Sequence, residues 1–346
     1  MRHQLPFPAL AGALLLLGAP AFAQLAGRLE SVIGVAPNYD PKPASDALLN
    51  GPWRLLSAGP NGFYFFEPGN RLMRVDTQGQ LTVFGAASAT NGLADADDSG
   101  NFYYSIGTGI GRISADGKTS IPFDWLNDAS LSPLRNPVAI ASNRRGGSVY
   151  LSNGTGLFEL PAGVSLNLAD ARYATRIYAG SADTGLIWIS GTGSLKVYSS
   201  VTGLVAGSGA YGVPTDGQRA VEAPFQTLTD VVSDTAGRVY VADRSIGSVY
   251  RIANGILERV AGLSDGPDAA PGAKARDVRF LRIDSIALDS NGRLLIADAQ
   301  AFTIWRVEDD GALSRAAGRP RGGSEPGGGV ALSDPSGLAY DRNHNL

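Results

Sequence analysis

The chain contains no cysteine. That excludes disulfides, thiolate catalysis, cysteine zinc centres and a lipid-modified N-terminal cysteine. Histidine is nearly absent too, with only His3 and His344 in 346 residues. Histidine is the usual general base and a common zinc ligand, so a zinc lyase or a Ser-His-Asp hydrolase is hard to assemble. No G-x-S-x-G elbow is present. Charged residues make up 18% of the chain, the net charge is -3, and Lys and Arg are scattered. Without a basic stripe, nucleic acid is not an expected partner. Only one apolar run is long, and it lies at the N-terminus.

That run reads as a secretory signal. Arg2 supplies the positive start, "LAGALLLLGAP" the short apolar core, and Ala21-Phe22-Ala23 the small residues that a signal peptidase inspects. Residues 1–23 are therefore expected to be removed, leaving Gln24 first. The run is too short to span a bilayer comfortably and nothing later is apolar enough, so no membrane span is expected after cleavage. The expected location is secreted or periplasmic. An exported chain without disulfides must be stable through its core alone, and 44% hydrophobic residues make such a core feasible.

What is abundant is glycine, 45 residues, together with 20 prolines, and the glycines fall in register. "LLSAGPNGFYFFE" (55–67), "GLADADDSGNFYYS" (92–105), "AIASNRRGGSVYLSN" (139–153), "IYAGSADTGLIWIS" (177–190), "VVSDTAGRVYVAD" (231–243) and "IALDSNGRLLIAD" (286–298) share one plan. Each is a short apolar run, a polar turn closing on glycine, and a β-branched or aromatic run, which predicts a β-hairpin. The turn glycines are Gly62, Gly100, Gly147, Gly185, Gly237 and Gly292, with His344 in a seventh slot, at spacings of 38 to 55 residues. "DADDSG" imitates a calcium loop, but the glutamate such a loop needs at its twelfth position falls on Ile106. It reads as a hairpin turn capped by Asp side chains.

Two more strands follow most hairpins, joined at Gly79, Gly255 and Gly311. Strand-turn repeats of this length predict an all-β fold, a β-propeller of four-stranded antiparallel blades. The expected count is seven, six complete blades plus one begun at 335–346; a six-bladed ring is the alternative. "GRLESVIG" (27–34) matches "GILERVAG" (255–262) and is expected to serve as an orphan outer strand that closes the ring over 24–346. On this count the natural chain continues past Leu346 by roughly 15 residues, and a further C-terminal domain is compatible with it.

The linkers "GSGAYGVPTDGQRAVEAPFQTLTDVVSD" (207–234) and "GLSDGPDAAPGAKARDVRFLRIDSIALD" (262–289) share a Gly/Asp/Pro-rich loop, an Ala-rich stretch and the next inner strand. With "VYVAD…SVYRI" and "LLIAD…TIWRV", the chain resembles the NHL-repeat β-propeller family, particularly its exported bacterial members. The resemblance covers most of 27–346 and weakens between 86 and 200. It implies an interaction platform. Related six-bladed propellers include lactonases and a peptide-amidating lyase, so fold alone does not settle function.

In a meander the first and third turns share one end, and the second turn and linkers share the other. The linker end carries most loop variation and is the expected binding face. Residues there are Glu67, Asp243, Arg244 and Asp298, with Trp125, Tyr39 and Tyr211 in the loops. Glu67, Asp243 and Asp298 are the repeated carboxylates that could converge on a cation, which makes calcium the one cofactor left open. Their structural reading is capping of the second turn. Arg74, Arg112, Arg251 and Arg306 recur in the third strand and read as inter-blade hydrogen bonding or, more sharply, as anion binding. Trp188 and Trp305 lie inside strands and read as packing between blades. The expected function is a non-catalytic exported scaffold that binds a protein, peptide or surface glycan. A calcium-dependent hydrolase or lyase of the lactonase or amidating-lyase type is the alternative.

Overall fold

A computed structural model describes residues 42–318, with short interruptions at 58, 60–61, 69–70, 87–92, 107, 117, 125–126, 129–130, 132–133, 169–170, 181–184 and 192–194. The signal segment, the 27–34 strand, Tyr39, Trp125, His344 and the seventh blade start at 335–346 lie outside the described residues.

The six hairpins form where the sequence places them. All six turn glycines adopt positive φ, between 60° and 98°, a region that costs a side chain energy and glycine none. The Asp residues cap the turns from within. In "DADDSG", Asp97 Oδ1 accepts the Ser99 and Asn101 amides at 3.0 and 2.9 Å. Asp234 and Asp289 repeat that geometry two and four residues ahead of themselves. The calcium-like motif is a capped turn.

Each hairpin extends into a four-stranded antiparallel blade. From inner to outer strand, blade 1 is Arg54–Ser57, Phe63–Glu67, Arg71–Val75 and Gln80–Ala86. Blade 2 is Ala94–Ala96, Phe102–Ile106, Gly109–Ile113 and Thr119–Asp124. Blade 3 is Ala139–Ser142, Val149–Ser152, Leu157–Leu160 and Val164–Leu166. Blade 4 is Ala174–Ala179, Leu186–Ser190, Lys196–Ser199 and Gly203–Ala206. Blade 5 is Leu228–Ser233, Val239–Asp243, Ser248–Ala253 and Ile256–Ala261. Blade 6 is Ile283–Leu288, Leu294–Asp298, Thr303–Val307 and Leu313–Ala317.

The core is divided among the seams between blades. Second strands such as Phe63–Glu67, Val239–Asp243 and Leu294–Asp298 are buried at every position, because each blade is covered on both faces. Trp188 packs between blades 3 and 4 and Trp305 between blades 5 and 6, as expected. Arg251 and Arg306 differ from expectation. They pair within their own blades, with Glu258 and Asp289.

The described ring closes at six blades. Inner strands of neighbouring blades are not in backbone register, so their edge amides need other partners. Side chains of the preceding blade supply them. The Ile286 amide donates to Asp230 at 3.0 Å, the Leu55 amide to Ser285 Oγ at 3.0 Å, and the Ser142 amide to Asp95 at 2.8 Å. The Leu55–Ser285 bond joins blade 1 directly to blade 6, leaving no gap for a seventh between them.

The Ala-rich linkers explain the same closure. Before blade 5, the Ala220 amide donates to Gly255 O and its carbonyl accepts the Gly207 amide, at 2.8 and 2.9 Å. Ala275 does the same before blade 6, between Gly311 and Gly262. Ala44 does so before blade 1, taking Gly79 on one side and Gly318, the end of blade 6, on the other, both at 2.8 Å. The non-covalent 6/1 seam therefore has the geometry of the covalent seams 4/5 and 5/6. Each outer strand comes from its own meander, and blade 6 is completed by Leu313–Ala317. Residues Lys42–Pro43 add to the outer edge of blade 1.

Candidate functional site

The inner strands surround a channel that is plugged by side chains. Near its linker end, Asp230 sits 2% exposed among cations. Its Oδ1 lies 2.8 Å from Arg176 Nε and 3.6 Å from Arg54 Nη1, and its Oδ2 accepts the Ser285 hydroxyl and the Ile286 amide. Burial, and then the Arg176 charge, bring the Arg54 pKa down to about 10. Over this end, Arg244 reaches Asp284 of the next blade at 2.8 Å, and Arg282 holds the other oxygen of that carboxylate. A β-bulge in each of blades 4, 5 and 6 lies at this level, re-aiming side chains at the channel rim.

Deeper in, Arg144 and Tyr178 form a second plug. Arg144 Nη1 donates to Ala96 O at 2.9 Å and Ser57 O at 3.3 Å, and Nη2 donates to the Tyr178 hydroxyl at 3.3 Å. The Tyr178 hydroxyl donates in turn to Ser233 O at 3.2 Å. These two residues tie together blades 1 to 5. Burial pushes the Tyr178 phenol up, with Arg144 opposing. Burial also raises the Asp95 carboxyl above its usual range, against the pull of Arg144 and Arg54. A cavity of about 20 Å³ lies between the plugs, room for one water.

Above the Arg144–Tyr178 plug the channel opens into a bowl of about 1080 Å³. Every blade contributes to it at the first-turn end: Ser57, Asp98, Asn143, Gly180, Thr235 and Asn291 mark blades 1 to 6 in turn. The bowl runs on into a cleft between blades 3 and 4, bounded by Tyr150 and Glu159 on one side and Leu186 and Ser200 on the other.

The bowl lies on the face opposite to the one the loop variation points to. Glu67 and Asp243 are fully buried and Asp298 is 1% exposed. Each holds the chain entering its own blade, and Asp243 and Asp298 also cap their second turns. Asp243 accepts the Gln226 and Thr227 amides at 2.6 and 3.0 Å, Asp298 those of Leu281 and Arg282 at 2.9 Å each, and Glu67 that of Asn50 at 2.6 Å. Burial raises the Asp298 pKa and these amides lower it, with burial the larger effect. The three carboxylates do not converge, and among the described residues no group of three or more His, Cys, Asp or Glu side chains is placed to hold a metal ion. Arg244 is committed to Asp284. Tyr211 is 73% exposed on the linker before blade 5, with its hydroxyl on Gln226.

Sequence reasoning passes over Arg144, Tyr178 and Tyr150. One signal for them is present: Tyr178 is the only aromatic residue in the six inner strands. An aromatic ring at a channel-lining position must fill the channel or reach a partner across it.

No known family model matches the chain, and no curated protein matches it. Solved structures do. A protein of unknown function from Bacteroides thetaiotaomicron is 16% identical with a TM-score of 0.61, over 80% of this chain and 73% of that one. An auxiliary nutrient binding protein from Bacteroides ovatus is 15% identical with a TM-score of 0.58, over 80% and 72%. A second auxiliary nutrient binding protein, from Bacteroides thetaiotaomicron, is 11% identical with a TM-score of 0.54, over 82% and 75%. The chain is a β-propeller. At these identities the likeness establishes the fold. Among the described residues of this propeller, no helix is long and apolar enough to cross a membrane.

Proposed function

We propose that this propeller is an exported, non-catalytic binding scaffold, and that its ligand, an extracytoplasmic protein, peptide or glycan, sits in the first-turn bowl. One observation carries the reading: a cavity of about 1080 Å³ to which all six blades contribute, floored by a hydrogen-bonded Arg144–Tyr178 plug. A large concave site with a few fixed polar groups is the usual form of a ligand pocket. The linker-end mouth, by contrast, is occupied by the Arg54–Asp230–Arg176 and Arg244–Asp284–Arg282 clusters. Two structural neighbours named as auxiliary nutrient binding proteins are in keeping with a binding role, as is the NHL-like layout of the linkers. A calcium-dependent hydrolase or lyase has less support, because Glu67, Asp243 and Asp298 are each used by the backbone of their own blade.

The test is direct binding to panels of soluble peptides and oligosaccharides. Asn291→Trp fills the bowl from an exposed turn position and should abolish binding, while Tyr211→Ala on the opposite face should not. Ligands lost with Tyr211→Ala or Arg244→Ala, and retained by Asn291→Trp, would overturn the placement.

A further inference from the structure

The lining of the bowl narrows the class of ligand, given that the bowl is the binding site. Its charges are largely consumed by the protein itself. Asp234 is taken by the Ala236 and Arg238 amides, the Arg238 side chain and the Tyr240 hydroxyl. Asp289 is taken by two amides and by Arg293 and Arg306. Arg144 is spent on two carbonyls and Tyr178 and faces Asp98 at 3.7 Å, and Glu159 accepts from Tyr150 at 3.3 Å. Arg145, exposed on the rim, and Asp98, half-exposed with Arg144 at 3.7 Å, are the exceptions. What remains for a ligand is a neutral polar surface of amides and hydroxyls, such as Asn143, Asn167, Thr235 and Ser290, together with the half-buried ring of Tyr150 and the leucines of the cleft.

The shape adds a second constraint. A bowl that continues into a cleft suits an elongated ligand. The cleft offers little strand edge to such a ligand, because the outer strand of blade 3 reaches its lining only at Leu166 and the inner strand of blade 4 only at Tyr178 and Ala179. Tyr150 and Glu159 lie on the second and third strands of blade 3, paired on both sides, and Leu186 lies on the second strand of blade 4, also paired on both sides. An extended peptide, which binds by adding a strand to a free edge, finds too short an edge for a ladder there. A sugar chain needs none: its hydroxyls meet side-chain amides and hydroxyls, and its apolar ring faces lie on aromatic and aliphatic side chains. We propose that the ligand is a neutral oligosaccharide whose chain runs from the bowl into the cleft between blades 3 and 4.

The experiment is calorimetry on the intact chain with ladders of neutral gluco-, xylo-, manno- and galacto-oligosaccharides from one unit upward, each at low and high salt. Affinity for at least one ladder should rise with length until the cleft is filled. It should be insensitive to salt, since no ion pair forms. Tyr211→Ala, on the opposite face, should bind normally. Asn167→Trp, at an exposed cleft position, should weaken the long oligomers about tenfold, a loss of about 1.4 kcal/mol, and spare the shortest that bind. If none of the ladders binds while charged peptides do, with salt dependence and loss in Asn291→Trp, the sugar assignment fails and the bowl remains a binding site. If neither panel shows binding that Asn291→Trp removes, the binding site itself is refuted, and the sugar assignment with it.

Discussion

Replacing Asp230 by Ala should be among the most damaging single changes in this chain. The side chain is 3% exposed and accepts the Ser285 hydroxyl and the amides of Val231 and Ile286, with Arg176 at 2.8 Å and Arg54 at 3.6 Å as ion-pair partners. Its loss leaves two neighbouring guanidinium groups with no carboxylate between them and strands the Ile286 amide at an unpaired edge. Removing one partner of a buried ion pair costs about 3–5 kcal/mol, and a stranded buried amide adds about 1–3 kcal/mol, not fully additively. A net loss of about 4–6 kcal/mol is a large share of the roughly 5–15 kcal/mol that holds a domain folded. Urea denaturation followed by tryptophan fluorescence measures it. The double variant Arg54→Met/Asp230→Ala should recover part of the loss, because the worst-placed charge goes with the carboxylate. A loss below about 1 kcal/mol for Asp230→Ala, or a double variant worse than the sum of the two single ones, would refute the claim that Asp230 neutralises the plug.

Asp243→Ala removes the cap that holds the Gln226 and Thr227 amides and should cost about 2 kcal/mol, with faster hydrogen exchange at those two positions as the local readout. The Asp95 carboxyl has a folded pKa raised above its unfolded value, so ionising it costs stability as pH rises from about 4 through the folded pKa. Asp95→Asn should therefore show a smaller deficit against the native chain at pH 7 than at pH 4, and a deficit that grows with pH would contradict the assignment. Gly255 and Gly262 both have positive φ, 76° and 89°, but a Cβ on Gly255 meets open space whereas one on Gly262 collides with the Gly247 carbonyl. Gly255→Ala should cost about 1 kcal/mol and Gly262→Ala several times more, read as melting temperatures.

Local patterning was enough to define the repeating unit. The Gly-closed hairpins, the Asp-capped first turns and the third turns at Gly79, Gly255 and Gly311 depend on residues a few positions apart, and a turn's demand for positive φ or an Asx bond is visible in the residues that meet it. The blade seams are partly legible for the same reason, since Trp188 and Trp305 can hardly be exposed in the middle of a strand. The repeated carboxylates Glu67, Asp243 and Asp298 stand out in the sequence, but their alternatives, cation ring or turn cap, differ only in where the side chain points.

Closure and the site belong to the tertiary structure. Counting turn slots suggests seven blades. The described ring stops at six because Ala44 fits the place between Gly79 and Gly318 that Ala220 and Ala275 fill in the covalent seams, and because Leu55 meets Ser285, 230 residues away. The bowl lies at the first-turn end because Asp230 draws Arg54 and Arg176 from two other blades into the linker-end mouth, while Arg144 and Tyr178 meet across the channel to make a floor. A sequence specifies each of these side chains, but only the folded ring brings inner strands from six blades within reach of one another, and the distances across that ring decide which end is filled and which is open.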